Sequence, residues 1–108
     1  MKKLLIIFTL FSYLIGAGYS EGFKLYRKGK IELRKGNIQN ANALFLQAKT
    51  NFEVAAKTNS SQAFIKLAEL YCNGWGVAPN KKEALTLLNK AKKLGASFIS
   101  DKCLKNLH

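Results

Sequence analysis

Few side chains in this sequence are equipped for chemistry, and those few are scattered. Two cysteines, one histidine and six carboxylates are its thiol, imidazole and acidic groups. The histidine is His108, the final residue, where chain ends fray. The acids stand singly at Glu21, Glu32, Glu53, Glu69, Glu83 and Asp101. With no two close together, solvated helix faces explain them better than an acid–base pair. Neither Ser-x-x-Lys nor His-Glu-x-x-His occurs, and the acyl-transfer and zinc-protease templates are expected to lack their parts. Zinc held by Cys72, Cys103 and His108 would leave the usual tetrahedral set one ligand short. The expectation is a non-enzyme with no catalytic residue, no metal and no cofactor.

Binding chemistry is better represented. The run Lys24, Arg27, Lys28, Lys30, Arg34 and Lys35 is strongly basic. Lys24, Arg27, Lys28 and Arg34 lie beside or opposite the apolar stripe of their segment, where an acidic peptide could engage them. The competing reading is a solvated helix face. Trp75 stands between Gly74 and Gly76. It reads either as an exposed anchor for a protein partner or as a ring packed against the end of a helix pair.

The amino terminus sets the expected compartment. Met1-Lys2-Lys3 is followed by an uncharged apolar run, Leu4 to Ile15, and then by Gly16-Ala17-Gly18-Tyr19-Ser20. A cationic start, an apolar middle and a small-residue exit match a cleavable secretory signal peptide. The run is short for a membrane span, which needs about 20 residues. Residues 1–20 are therefore expected to be removed after Ser20, with Gly18 as a second cleavage point and an uncleaved anchor as the alternative. Removing Lys2 and Lys3 takes the net charge from +12 to +10. An exported basic protein meets acidic proteins, anionic envelope surfaces or glycans rather than nucleic acid; simple solubility is the plainer explanation. Membrane contact is expected only in transit, unless the leader is retained.

The rest reads as helices. Phe23, Tyr26 and Leu33 share a helix face, which Gly36-Asn37 ends, with Asn37 as a cap for the next segment. Ala41, Leu44, Phe45, Ala48, Phe52 and Ala55 make a second amphipathic helix over residues 38–57. After the turn cluster Thr58-Asn59-Ser60-Ser61, a third helix runs through Ala63, Phe64, Leu67, Ala68, Leu70 and Tyr71 to Asn73-Gly74. Asn80 and Glu83 form a reciprocal capping box for a fourth, with Ala84, Leu85, Leu88, Ala91 and Leu94 on its stripe. A last helix is expected from Ser97 to Leu107. The divisions are a leader at 1–20, a first helical hairpin at 21–58, a second at 59–96 and a capping helix at 97–108. No segment alternates as a strand does.

Self-similarity appears at 36 residues, with Asn59 on Gly95 and Leu67 on Cys103. The first unit, with Leu25, Gly29, Gly36-Asn37, Ala41, Phe45 and Ala48, resembles a tetratricopeptide repeat. The second, with Ala63, Leu67, Ala68, Leu70, Tyr71, Gly74, Gly76, Val77, Asn80, Ala84, Ala91 and Gly95, resembles the Sel-one-like repeat (SLR) family, most specifically in Leu70 to Val77. That resemblance implies an all-α short solenoid of antiparallel helical hairpins. It implies a module for protein–protein interaction whose groove is lined by the first helix of each pair. Some exported, cysteine-rich members are described as β-lactamases, and bacterial members include host-directed interaction factors. A β-lactam or cell-wall-fragment hydrolase and a secreted effector are therefore the alternatives. Cys72 and Cys103 depart from the close cysteine pairs of those members, and Ala68 stands where glycine is usual.

The two cysteines remain open at this level. Oxidation on export would bridge Cys72 to Cys103 and contribute about 3–4 kcal/mol in the chain-entropy model. Against this, placing Cys103 in Leu67's position puts it roughly 7.5 Å along the axis from Cys72's level. A helix spacing of about 8–10 Å adds to that, which exceeds the ~7 Å Cα limit for a bridge. Reduced, both would be small core residues.

Overall fold

Buried positions on the second helix recur at Ala41, Phe45, Ala48, Phe52 and Ala55, alternating steps of four and three that draw one apolar stripe. The helix before it answers with Gly22, Tyr26 and Gly29. A Cβ on Gly22 would lie 2.8 Å from the Phe52 ring, and one on Gly29 2.8 Å from the Phe45 ring. Seven residues forward on one helix thus match seven back on the other, so the two run antiparallel. The same register sets Tyr26 opposite Ala48, and large side chains face small ones along the seam. A glycine inside a helix costs about 0.5–1 kcal/mol relative to alanine. Burying each phenylalanine completely returns about 1.5–3 kcal/mol, which decides the balance.

The computed structural model describes residues 18–107. Its helices are α1 (Tyr19–Arg34), α2 (Ile38–Ala56), α3 (Ser61–Asn73), α4 (Lys81–Lys93) and α5 (Lys102–Lys105). No strand occurs among the described residues, so the fold is all-α. α1 packs on α2 and α3 on α4, while α2 and α3 join the two pairs. In the second pair Ala63, Leu67, Ala68 and Leu70 are buried on α3, and Ala84, Leu87, Leu88 and Ala91 on α4. Leu87 replaces Leu85 in the expected stripe: Leu85 is half-buried, and Leu94, also expected there, is exposed. The predicted leader lies outside the described residues except for Gly18, Tyr19 and Ser20. Those last two residues already belong to α1, and Tyr19 stacks on Phe23 with ring centroids 5.8 Å apart.

The turns follow their chemistry with two exceptions. Ser60 caps α3 by accepting from the Ala63 N–H (3.2 Å), and Asn59 takes the left-handed φ of 63° before it. Gly74 ends α3 at φ 71°, and the Trp75 N–H bonds back to the Leu70 carbonyl (2.9 Å). Asn80 caps α4 by accepting from the Glu83 N–H (3.0 Å). The expected return bond from Glu83 is absent because the Asn80 N–H already reaches the Tyr71 carbonyl (2.8 Å). Asn37 does not cap α2 with its side chain, which donates instead to Glu32 (2.7 Å).

The expected helix over Ser97 to Leu107 is corrected. Residues 96–101 are irregular and only Lys102–Lys105 is helical. Asp101 is the cap that starts this short helix, accepting from the Leu104 N–H (2.9 Å), and its other oxygen accepts from Asn73 Nδ2 (3.1 Å). Because the segment before Asp101 is not helical, the axial offset that argued against a bridge does not exist. Cys72 and Cys103 form a disulfide with Cα atoms 6.0 Å apart, fastening the carboxyl-terminal stub to α3 beside the buried Leu104.

Gly29→Ala should destabilise the protein by about 1–3 kcal/mol in urea unfolding, the reverse of the usual gain from removing a helical glycine. An unchanged or raised midpoint would show that α1 and α2 do not need this close approach.

Candidate ligand groove

Where α1 passes α3, the two helices and the segment before α5 enclose a groove of about 620 Å³. Its α1 wall carries Phe23, Tyr26, Arg27, Lys30, Ile31 and Arg34, positions three and four apart that fall on one helix face. Lys66 and Glu69, three apart on α3, face them, and Ser100, Asp101 and Lys102 close the side.

Glu69 sits at the floor and is only 4 % exposed. A buried carboxylate is costly unless it is hydrogen-bonded. Here Tyr26 Oη donates to it at 2.6 Å and Lys66 Nζ pairs with it at 3.0 Å. Desolvation, then the charge of Glu69, pushes the Tyr26 phenol far above its ordinary value of 10.0. The same two causes in the same order raise Tyr19. The helix-surface role expected for all six acids fails at Glu69. Its i,i+3 spacing from Lys66 resembles a surface ion pair, and nothing local reveals that Tyr26, forty-three residues away, supplies the donor. Its place between the buried Ala68 and Leu70 was the one available signal.

The aromatic floor holds the cations. Tyr26 meets Phe45 edge-on at 6.0 Å and Phe52 at 6.3 Å. Trp75 stacks on Phe45 at 5.2 Å. Lys66 Nζ lies 4.6 Å from the Tyr26 ring centroid, Lys30 Nζ 5.5 Å from Tyr26 and 5.6 Å from Trp75, and the Arg27 guanidinium 5.9 Å from Phe23. Such cation–π contacts restrain the long side chains along the groove.

Of the residues proposed from sequence for partner contact, Arg27 and Arg34 line the groove, whereas Lys24 and Lys28 are exposed on α1 away from it. Trp75 is half-buried behind the floor, in keeping with the packed-ring reading. Lys30, Lys66 and Lys102 join the site without having been singled out. Lys30 was read only as part of the basic run, and Lys66 and Lys102 are brought in by the fold. The repeat-motif residues stand behind it: Leu67, Ala68, Leu70, Ala84 and Ala91 in the core, Tyr71 and Val77 half-buried. Gly76 presses the Trp75 loop onto α2, its N–H donating to Asn42 Oδ1 (3.1 Å), and an added Cβ would fall 2.8 Å from the Leu46 nitrogen. Gly95 takes a left-handed φ of 101° after α4.

One acyl-transfer spelling does occur, against expectation: Gly18-Tyr19-Ser20-Glu21-Gly22 reads Gly-x-Ser-x-Gly. The serine is exposed on the first turn of α1, not raised on a strand-to-helix elbow, and Gly22 is spent on the Phe52 contact. Among the described residues no group of acids, cysteines and histidines could hold a metal ion.

The raised Tyr26 predicts a pH dependence. A phenol harder to ionise folded than unfolded contributes stability that is complete below pH about 10 and lost as pH rises beyond it. Denaturation midpoints should therefore fall above pH 10, and less steeply in Tyr26→Phe. At neutral pH that variant should lose about 1–3 kcal/mol, because Glu69 stays buried one donor short. Equal alkaline slopes for the two proteins would refute this coupling.

Compared with known proteins, the chain matches no family model, no curated protein and no solved structure.

Proposed function

We propose that this protein is an exported, non-catalytic binding module that takes an acidic peptide segment of another protein into the α1–α3 groove. The observation that carries the reading is the groove's charge arrangement. Its two acids are already engaged, Glu69 by Tyr26 and Lys66 and Asp101 by Asn73 and the α5 cap. Arg27, Lys30, Arg34 and Lys102 have no acidic partner among the described residues. Four outward cations around satisfied acids favour an anionic occupant in encounter and register. The resemblance of residues 60–96 to Sel-one-like repeats supports the same reading, because the groove runs along the first helix of each pair. On this view the two pairs are units of a short solenoid.

A labelled peptide rich in glutamate should bind in fluorescence anisotropy and weaken as salt rises. Its lysine counterpart should not bind. Joint Arg27→Glu and Arg34→Glu substitution should weaken it at least tenfold, about 1.4 kcal/mol. Equal binding of acidic and basic peptides would sink the proposal.

Export carries its own expectation. Tyr19 packs on Phe23 and Phe52 at 5.8 and 5.7 Å, so of the two cleavage points the one after Gly18 preserves these ring contacts. The intact mass of protein recovered from the exported fraction should match residues 19–108. A mass beginning at Glu21 would show that Tyr19 is dispensable, and a retained leader would make the protein membrane-anchored.

A further inference from the structure

The basic groove has an apolar extension. A smaller hollow of about 150 Å³ shares Lys66, Glu69 and Ser100 with it and continues to Tyr19, Ile65 and Phe98, with the polar Gln62 among them. A cavity of about this size accepts a benzene-sized group. Phe98 is 80 % exposed, the most exposed large apolar side chain among the described residues, and it sits on the irregular segment that the Cys72–Cys103 bridge fastens to α3. Its position is thus set by a covalent tie and by Asp101, while nothing among the described residues covers its ring. One continuous trough therefore runs along α1 with an apolar end at Tyr19 and a cationic end at Arg34.

We infer that the occupant is an extended peptide combining one large apolar side chain, seated among Tyr19, Ile65 and Phe98, with carboxylates laid on Arg27, Lys30 and Arg34. This rests on the acidic-groove reading above and adds a second recognition element to it. Dimensions fix the spacing. From Tyr19 to Arg34 α1 rises about 22 Å, which an extended chain covers in about seven residues at ~3.3 Å each. Tyr19 to Lys30, about 16 Å, takes about five of them. Alternate side chains of an extended peptide point the same way about 6.6 Å apart, close to the roughly 6 Å rise from Lys30 to Arg34. The ligand is accordingly an apolar residue with carboxylates five and seven positions away. A second copy of this chain is a poor occupant, because two molecules of net charge +12, or +10 without Lys2 and Lys3, repel and carry their few acids singly.

The test uses the full-length oxidised protein and fluorescein-labelled eight-residue Gly/Ser peptides with that Glu pair. Phenylalanine is placed five residues to either side of the pair, and in matched peptides alanine replaces it. In one chain direction the phenylalanine peptide should bind at least tenfold more tightly than its alanine match. Phe98→Ser should bring the phenylalanine and alanine peptides to equal affinity, with an unaltered melting curve as the check on folding. The Arg27→Glu, Arg34→Glu protein should weaken both peptides. Equal affinities of phenylalanine and alanine peptides in both directions would overturn the bipartite site while leaving the acidic groove standing, and so would a gain that survives Phe98→Ser. If no acidic peptide binds, the groove reading itself fails. Phe98-dependent partition onto phosphatidylglycerol vesicles in that case would assign the apolar end to a lipid surface and overturn the inference.

Discussion

The hydrogen bond from Tyr26 to the buried Glu69 (2.6 Å) ties α1 to α3 beside the α2–α3 packing that joins the two pairs, and it forms the floor of the groove. Isolated, a carboxylate in that position would cost several kcal/mol. The phenol and the Lys66 ammonium make burial tolerable only if α1 and α3 keep their separation. Tyr26 is in turn placed by what lies behind it: Phe45, Phe52 and Trp75 surround the ring, and those rings reach their places because Gly22 and Gly29 let α1 close on α2. The order of dependence runs from two missing Cβ atoms, through an aromatic cluster, to one polar contact that sets the two walls of the groove. Removing any step leaves the next without support.

That arrangement also determines what the groove presents. Each acid in it is consumed by the fold, whereas Arg27 and Lys30 rest on aromatic faces rather than on acids. A cation resting on a ring keeps its field outward and has already lost part of its rotamer freedom, which lowers the entropic cost of meeting a ligand. The charge excess of the chain is thus not spread evenly in effect. It becomes ordered where α1 turns Arg27, Lys30 and Arg34 to one side.

Helix existence and most helix ends are legible in the sequence, because they rest on local rules. Ser60, Asn80 and Gly74 cap or stop helices through neighbours within five residues, and the four–three stripe of α2 is visible in five residues of its own chain. Half of the groove is legible too, since Arg27 and Arg34 belong to an evident basic run. What is not legible depends on tertiary partners. Glu69 pairs with a residue in another helix, Asn80 gives its N–H to Tyr71 instead of completing a box, and Asn37 turns back to Glu32. The carboxyl-terminal segment is the clearest case. Phe98, Ile99, Cys103, Leu104 and Leu107 have helical spacing, yet Asp101 begins the helix late and leaves Phe98 in solvent.

The same segment shows how a small chain finishes its last edge. Residues 96–107 bury one side chain fully, Leu104, with Ile99, Cys103 and Leu107 only partly covered. That is little apolar burial to set against the conformational entropy of ordering a dozen residues. The bridge changes the comparison by acting on the unfolded chain, where a loop of 31 residues' separation is worth about 3–4 kcal/mol. Asn73 holding Asp101 adds a local tie at 3.1 Å. The groove's third side, Ser100 to Lys102, and the exposed ring of Phe98 therefore owe their position less to packing than to one covalent link and one capping acid, which is why that side can project an apolar group into solvent.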